Sequence, residues 1–251
     1  DFASIDTSNT SQGYVMVKYN GTNEKVKLQI TCPDQSCYTY LISDRGAYDT
    51  FQLTAGNGSY ALQVLENVAG DTYTVSLAQS INVNIEDEFL PFLYPNQYVN
   101  FHTDSKAVSK GSDLAKDTYS DLDVVQNIYN YVIKNISYDT EKAQNVSYGY
   151  VPDIDDTLSS KKGICFDYAA LMASMLRSQN IPTKLEVGYS GDAYHAWIST
   201  YIDDKGWVDD IIQFNGDTWQ IMDPTLAATN DSAAVKKYIG DGSHYVVKYT
   251  Y

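Results

Sequence analysis

Residues 163–183 read G-I-C-F-D-Y-A-A-L-M-A-S-M-L-R-S-Q-N-I-P-T. Ala169, Met172, Ala173 and Leu176 recur at the spacing of one helix face, which predicts a helix from about Cys165 to Ser178. Gly163 gives the chain room to turn in, and Asn180-Ile181-Pro182 ends the helix because Pro182 cannot continue it. Downstream, 184–189, 196–202, 207–214 and 218–222 are strand-like runs. Asp203-Asp204-Lys205-Gly206 and Asn215-Gly216-Asp217 read as hairpin turns between them. Helices followed by an antiparallel sheet make an α+β arrangement.

Upstream, Ser120 or Asp121 can cap a second helix whose apolar face holds Val124, Val125, Ile128, Tyr129, Val132 and Ile133. Before it, Pro91 and Pro95 bracket an apolar connector, and a domain boundary is placed at about 95. The first part is strand-like. Val15, Val17 and Tyr19 alternate, as do Val26, Leu28 and Ile30, then Tyr38, Tyr40 and Ile42, then Tyr60, Leu62 and Val64, then Tyr73, Val75 and Leu77. Asn20-Gly21, Asp44-Arg45-Gly46, Asn57-Gly58 and Ala69-Gly70-Asp71 separate these runs. Residues 1–95 therefore read as an antiparallel β-sandwich behind a flexible lead-in of about twelve residues, and 96–251 as the helix-plus-sheet domain.

The formal charge of −15 excludes a phosphate-backbone binder, which needs a basic patch. Residues 1–95 carry 4 basic and 11 acidic groups and the rest 13 and 21, so neither part is a basic recognition tail. No stretch of 18 apolar residues spans a membrane. The start at Asp1, without Met or an apolar leader, reads as a mature or truncated fragment. Cys32 and Cys37, five apart in T-C-P-D-Q-S-C-Y, read as a local disulfide, which places the protein outside a reducing cytosol. Too few Cys and His accompany them for a zinc site. Cys165 is left as the odd thiol.

At a helix start, free N–H groups and the helix dipole favour a thiolate, the competent nucleophile. His195 opens the run H-A-W-I-S-T-Y-I, and Asp223 closes W-Q-I-M-D-P-T. A nucleophile, a base and an orienting group can be built from these three. Spacing alone leaves Cys165 equally open to being a small buried hydrophobe. Together, 163–183, A-Y-H-A-W at 193–197 and W-Q-I-M-D-P-T at 219–225 resemble the transglutaminase-like superfamily over about 97–251. The resemblance implies a papain-like core with Cys165 as nucleophile, His195 as general base and acid, and Asp223 as the group that orients His195.

Asp210 competes with Asp223 for that last role. A three-strand up-down-up path would carry Asp223 to the far end of the sheet from His195. The choice of Asp223 therefore expects 204–217 to be an excursion, with the strand at 219–222 pairing directly with that at 196–202. The implied chemistry is attack of Cys165 on a protein or peptide amide, a thioester, and its resolution by water or an amine. The Cys165 N–H supplies one oxyanion donor, and Tyr148 or Tyr150 is a candidate for a second.

Other signals are read as structural. S-x-x-K at 159–162 lacks its partner motifs, and the acidic run at 153–156 lacks the Gly and Glu of a calcium loop. Asp167 reads as an exposed first-turn acid, and Trp197 and Trp219 as core anchors. No cofactor or metal is expected, and no nucleic acid. The expected protein is a secreted or cell-surface cysteine acyltransferase or amide hydrolase whose β-domain binds a partner of unknown identity. The alternative is a non-catalytic binding or structural module of the same fold.

Overall fold

The computed structural model describes residues 2–190, 193–203, 205–214, 219–221 and 245–251. The chain divides into two compact units, Asp1–Gln97 and Tyr98–Tyr251.

The first unit is all-β. Its strands are β1 (Ala3–Asp6), β2 (Tyr14–Tyr19), β3 (Val26–Thr31), β4 (Cys37–Leu41), β5 (Tyr48–Gln52), β6 (Gly58–Ala69) and β7 (Thr72–Val83). They form two antiparallel sheets, in the orders β1-β2-β5 and β4-β3-β6-β7. Alternation sends Val15, Val17 and Tyr19 inward from the first sheet, and Val26, Leu28, Ile30, Tyr60, Leu62 and Val64 inward from the second. Across the core the rings of Tyr40 and Phe51 meet at 4.8 Å.

Three sequence readings change here. The lead-in is not loose, because Ala3–Asp6 pairs with β2 from Ala3↔Tyr19 to Asp6↔Met16. Val75 is exposed, because a register shift between Val64 and Leu65 pairs it with Leu65 and turns it off the face of Leu77. Cys32 and Cys37 are both free. Cys37 pairs across the ladder with Thr31, and the Cys32 N–H bonds the Ser36 carbonyl, so the two side chains fall on opposite faces of the hairpin.

The second unit holds α1 (Lys106–Leu114), α2 (Asp121–Asn135), β8 (Ser137–Tyr138), α3 (Thr140–Asn145), α4 (Ile154–Ser160), β9 (Lys162–Gly163) and α5 (Cys165–Ser178). β10 (Thr183–Ser190), β11 (Ala193–Ile202), β12 (Gly206–Phe214), β13 (Trp219–Ile221) and β14 (Tyr245–Thr250) complete it. The Ser120 hydroxyl caps α2 by accepting the Asp123 N–H. α5 has the expected bounds but is buried on every side from Asp167 to Arg177, so it is a central helix and not one with a single inward stripe. Arg177 ties its end to the sheet by donating to the carbonyls of Thr183 and Tyr251.

The five strands form one antiparallel sheet in the order β13-β12-β11-β10-β14. This overturns the expected excursion at 204–217. Gly206–Phe214 is a full middle strand, with Ile202↔Gly206 and Ile198↔Ile212 on one side and Ile212↔Ile221 on the other. The β-branched and aromatic run of 207–214 fills the place between β11 and β13. β13 therefore points the same way as β11, two strands away.

Candidate active site

A short parallel pair sets up the site. β8 and β9 align Tyr138 with Gly163, and two residues later the chain enters α5 at Cys165. Gly163 is required there, since a Cβ on it would lie 2.7 Å from the Asp167 Cβ. Cys165 is thus delivered to a helix N-terminus with Tyr138 beside it. The Cys165 backbone N–H is directed at the Tyr138 hydroxyl. Burial, with the charges of Cys165 and Asp167 adding to it, raises Tyr138 above its ordinary range, so the hydroxyl keeps its proton.

β11 forms the opposing side. The Ala196 N–H is directed at the Cys165 thiol, and Ala196 follows His195 directly. The structure thus places Cys165 against the strand that carries His195. His195 is only partly buried, and its cross-strand partner is Gly188 of β10. A Cβ at Gly188 would fall 2.0 Å from the Val246 carbonyl oxygen, so glycine there lets β14 approach. Next along the hairpin, the buried Glu186 carboxylate accepts from Trp197 Nε1 at 3.1 Å and Ser199 Oγ at 2.6 Å. These bonds lock β10 to β11 just beyond His195.

Protonation follows from burial. Burial raises the Cys165 thiol and outweighs the N–H groups of Ala196 and Phe166, which lower it. The helix start therefore does not deliver a preformed thiolate, contrary to the sequence reading. Burial also lowers His195 below its ordinary 6.5, so its imidazole is neutral at pH 7. A neutral thiol and a neutral imidazole are the forms that a nucleophile and its base need before reaction.

Asp223 lies outside the described residues, as do His244 and the side chains of Asp210 and Trp219. Tyr148 is 78% exposed, and the Tyr150 hydroxyl is bound to Asp167 and Lys142. Tyr138, which the sequence reading passed over, is the tyrosine at the Cys165 N–H. Its one signal was its place just after the apolar-faced helix α2, with α3 and α4 still between it and Cys165. Asp167 is not an exposed acid, because its side chain is fully buried. Asp153 caps α4 through the N–H groups of Asp155 and Asp156, and the Asp155 carboxylate accepts the N–H groups of Lys106 and Ala107. Among the described residues, no three His, Cys, Asp or Glu side chains converge as a metal site. No helix among them is long and apolar enough to cross a membrane.

Comparison with known proteins agrees with the resemblance for the segments 163–183 and 193–197, and does not reach the third at 219–225. Residues 109–209 match the model of the transglutaminase-like superfamily. UPF0252 protein MJ1282 of Methanocaldococcus jannaschii is 30% identical over 118 residues, covering 41% of this chain and 34% of that protein. The kyphoscoliosis peptidase of Mus musculus is 30% identical over 107 residues, covering 38% of this chain and 16% of that protein. The chain thus spans about a third or less of the curated relatives it matches. The periplasmic domain of TgpA from Pseudomonas aeruginosa superposes with a TM-score of 0.40 at 13% identity, over 98% of this chain and 99% of that one.

Proposed function

We propose that this chain, with its transglutaminase-like segment at 109–209, is a cysteine enzyme acting on protein or peptide amides through a thioester. The observation that carries the reading is the Cys165 thiol at the start of α5, under the N–H of Ala196, which follows His195 on β11. His195 takes the thiol proton as sulfur attacks the carbonyl carbon. The oxyanion is held by the Tyr138 hydroxyl, which accepts the Cys165 N–H on its oxygen and donates its own proton. The C–N bond then breaks, and the proton held by His195 leaves with the amine. Water or a second amine attacks the thioester, regenerates the thiol, and releases an acid or a new amide. Asp223 is assigned to orient His195 on its W-Q-I-M-D-P-T context alone, because the full strand β12 removes the excursion that was to bring it beside His195.

The remaining parts of the proposal are coarser. Residues 1–95 are taken as an accessory β-domain that positions the enzyme or binds a partner, and 96–251 as the catalytic domain. A secreted or cell-surface location belongs to the reading, without the support of a Cys32–Cys37 bridge, and fractionation of the producing cells tests it. The activity is tested by incubating the protein with a glutamine-containing peptide, with and without a primary amine. Ammonia release with amine incorporation identifies a transferase, and backbone cleavage identifies a peptidase. Neither product, together with a Cys165 insensitive to His195, leaves the non-catalytic module.

A further inference from the structure

Two residues beyond Cys165, the Asp167 carboxylate is sealed inside the protein, with no solvent exposure. Its Oδ2 accepts the Ile164 N–H at 2.8 Å, which fixes the residue just before the cysteine. The same oxygen lies 2.8 Å from Lys142 Nζ. Its Oδ1 accepts the Tyr150 hydroxyl at 2.6 Å, and Lys142 Nζ in turn donates to the Tyr150 oxygen at 2.5 Å. The three side chains close a ring of contacts linking α3 and the loop after it to the first turn of α5. Lys142 and Tyr150 also line a cavity of about 670 Å³ together with Glu141, Asn145 and Ser147. The Lys142 side chain keeps 28% of its surface in solvent.

We infer that Lys142 is a positioning residue that sets the reactivity of Cys165 through Asp167. This rests on Cys165 being the nucleophile. A buried carboxylate next to a thiol opposes its ionisation, and Asp167 acts on Cys165 in that direction. The ammonium of Lys142 cancels that field at its source and holds the carboxylate on the Ile164 N–H. Burial works against the Lys142 charge, but Asp167 and Tyr150 outweigh it and keep the ammonium protonated. Among the described residues Tyr138 from β8 also acts on Cys165, and it is neutral near pH 7. Burial has the largest effect on the thiol, and Asp167 is the charged side chain that adds to it, with Lys142 as its counter-ion.

The test is iodoacetamide alkylation of Cys165 in the full chain, read by peptide mapping so that Cys32 and Cys37 do not contribute. Rates are measured from about pH 6 to about pH 10. Lys142→Gln is expected to slow alkylation near neutral pH by roughly three- to tenfold and to move the profile to higher pH. Lys142→Arg is expected to keep the wild-type profile. Asp167→Asn is expected to move it to lower pH. Opposite shifts from the two charge-removing variants are something a packing role does not produce. Profiles that superimpose on wild type, or that both move the same way, overturn the inference. If circular dichroism shows that one variant does not fold, the sign of the other decides. His195→Ala, run alongside, separates the two ideas. An unchanged rate in that variant removes the catalytic reading, while the Lys142 shift is judged on its own.

Discussion

Cys165 and His195 both rest in their neutral forms near pH 7, because burial raises one and lowers the other. The acid limb of the amide reaction therefore has a midpoint below 6.5, where the imidazole base becomes protonated. The same lowered value makes the unfolded chain bind the proton more readily. His195 thus costs no stability above 6.5 and costs stability progressively as pH falls below it, which acid titration of the unfolding midpoint measures. At Tyr138, removing only the hydroxyl with Tyr138→Phe should lower kcat by about 100-fold while KM stays near wild type, since the donor acts on the oxyanion. The Asp assignment is tested by parallel variants. Asp223→Ala should lose about 10⁴-fold in kcat while Asp210→Ala stays active. A dead Asp210→Ala with a functional Asp223→Ala reverses the choice.

α5 was legible from sequence because its boundary signals are local: a glycine before it, a proline after it, and a helical period between. Its burial on all sides was not legible, since Asp167 read as an exposed acid and only its tertiary partners make it inward. The inward residues of β2, β3, β4 and β6 followed from simple alternation, and Val75 escaped because a bulge shifts the register without changing composition. The run 207–214 has the composition of the strand it forms as β12, and the excursion at 204–217 followed only from placing Asp223 beside His195. β5 and β14 were missed, although 245–249 reads Y-V-V-K-Y, a β-branched and aromatic run. Cys165 and His195 were found through a motif, whereas Tyr138 needed the β8–β9 pairing that no local pattern reveals. Two element-level expectations follow. Leu171→Ala, at a position with no exposure, should cost about 2–5 kcal/mol in denaturant unfolding. Asp153→Ala, which removes the α4 cap, should cost about 1 kcal/mol by the same measurement.

For the whole molecule, the described parts of the proposed catalytic machinery belong to the unit Tyr98–Tyr251. Its helices and its five-stranded sheet meet at Cys165 and β11, so residues 98–251 expressed alone should fold and keep the Cys165 alkylation rate of the full chain. Circular dichroism and the same peptide map check this. The charge of −15 is spread over both units and serves solubility, and the proposed chemistry falls to the pair of Cys165 on α5 and His195 on β11. The most direct test of that pair is the rate at which iodoacetamide modifies Cys165 at pH 7.5, compared between the wild-type chain and His195→Ala. With His195 acting as the base for this thiol, the variant should lose about tenfold or more in rate. Equal rates in the two proteins would contradict the account.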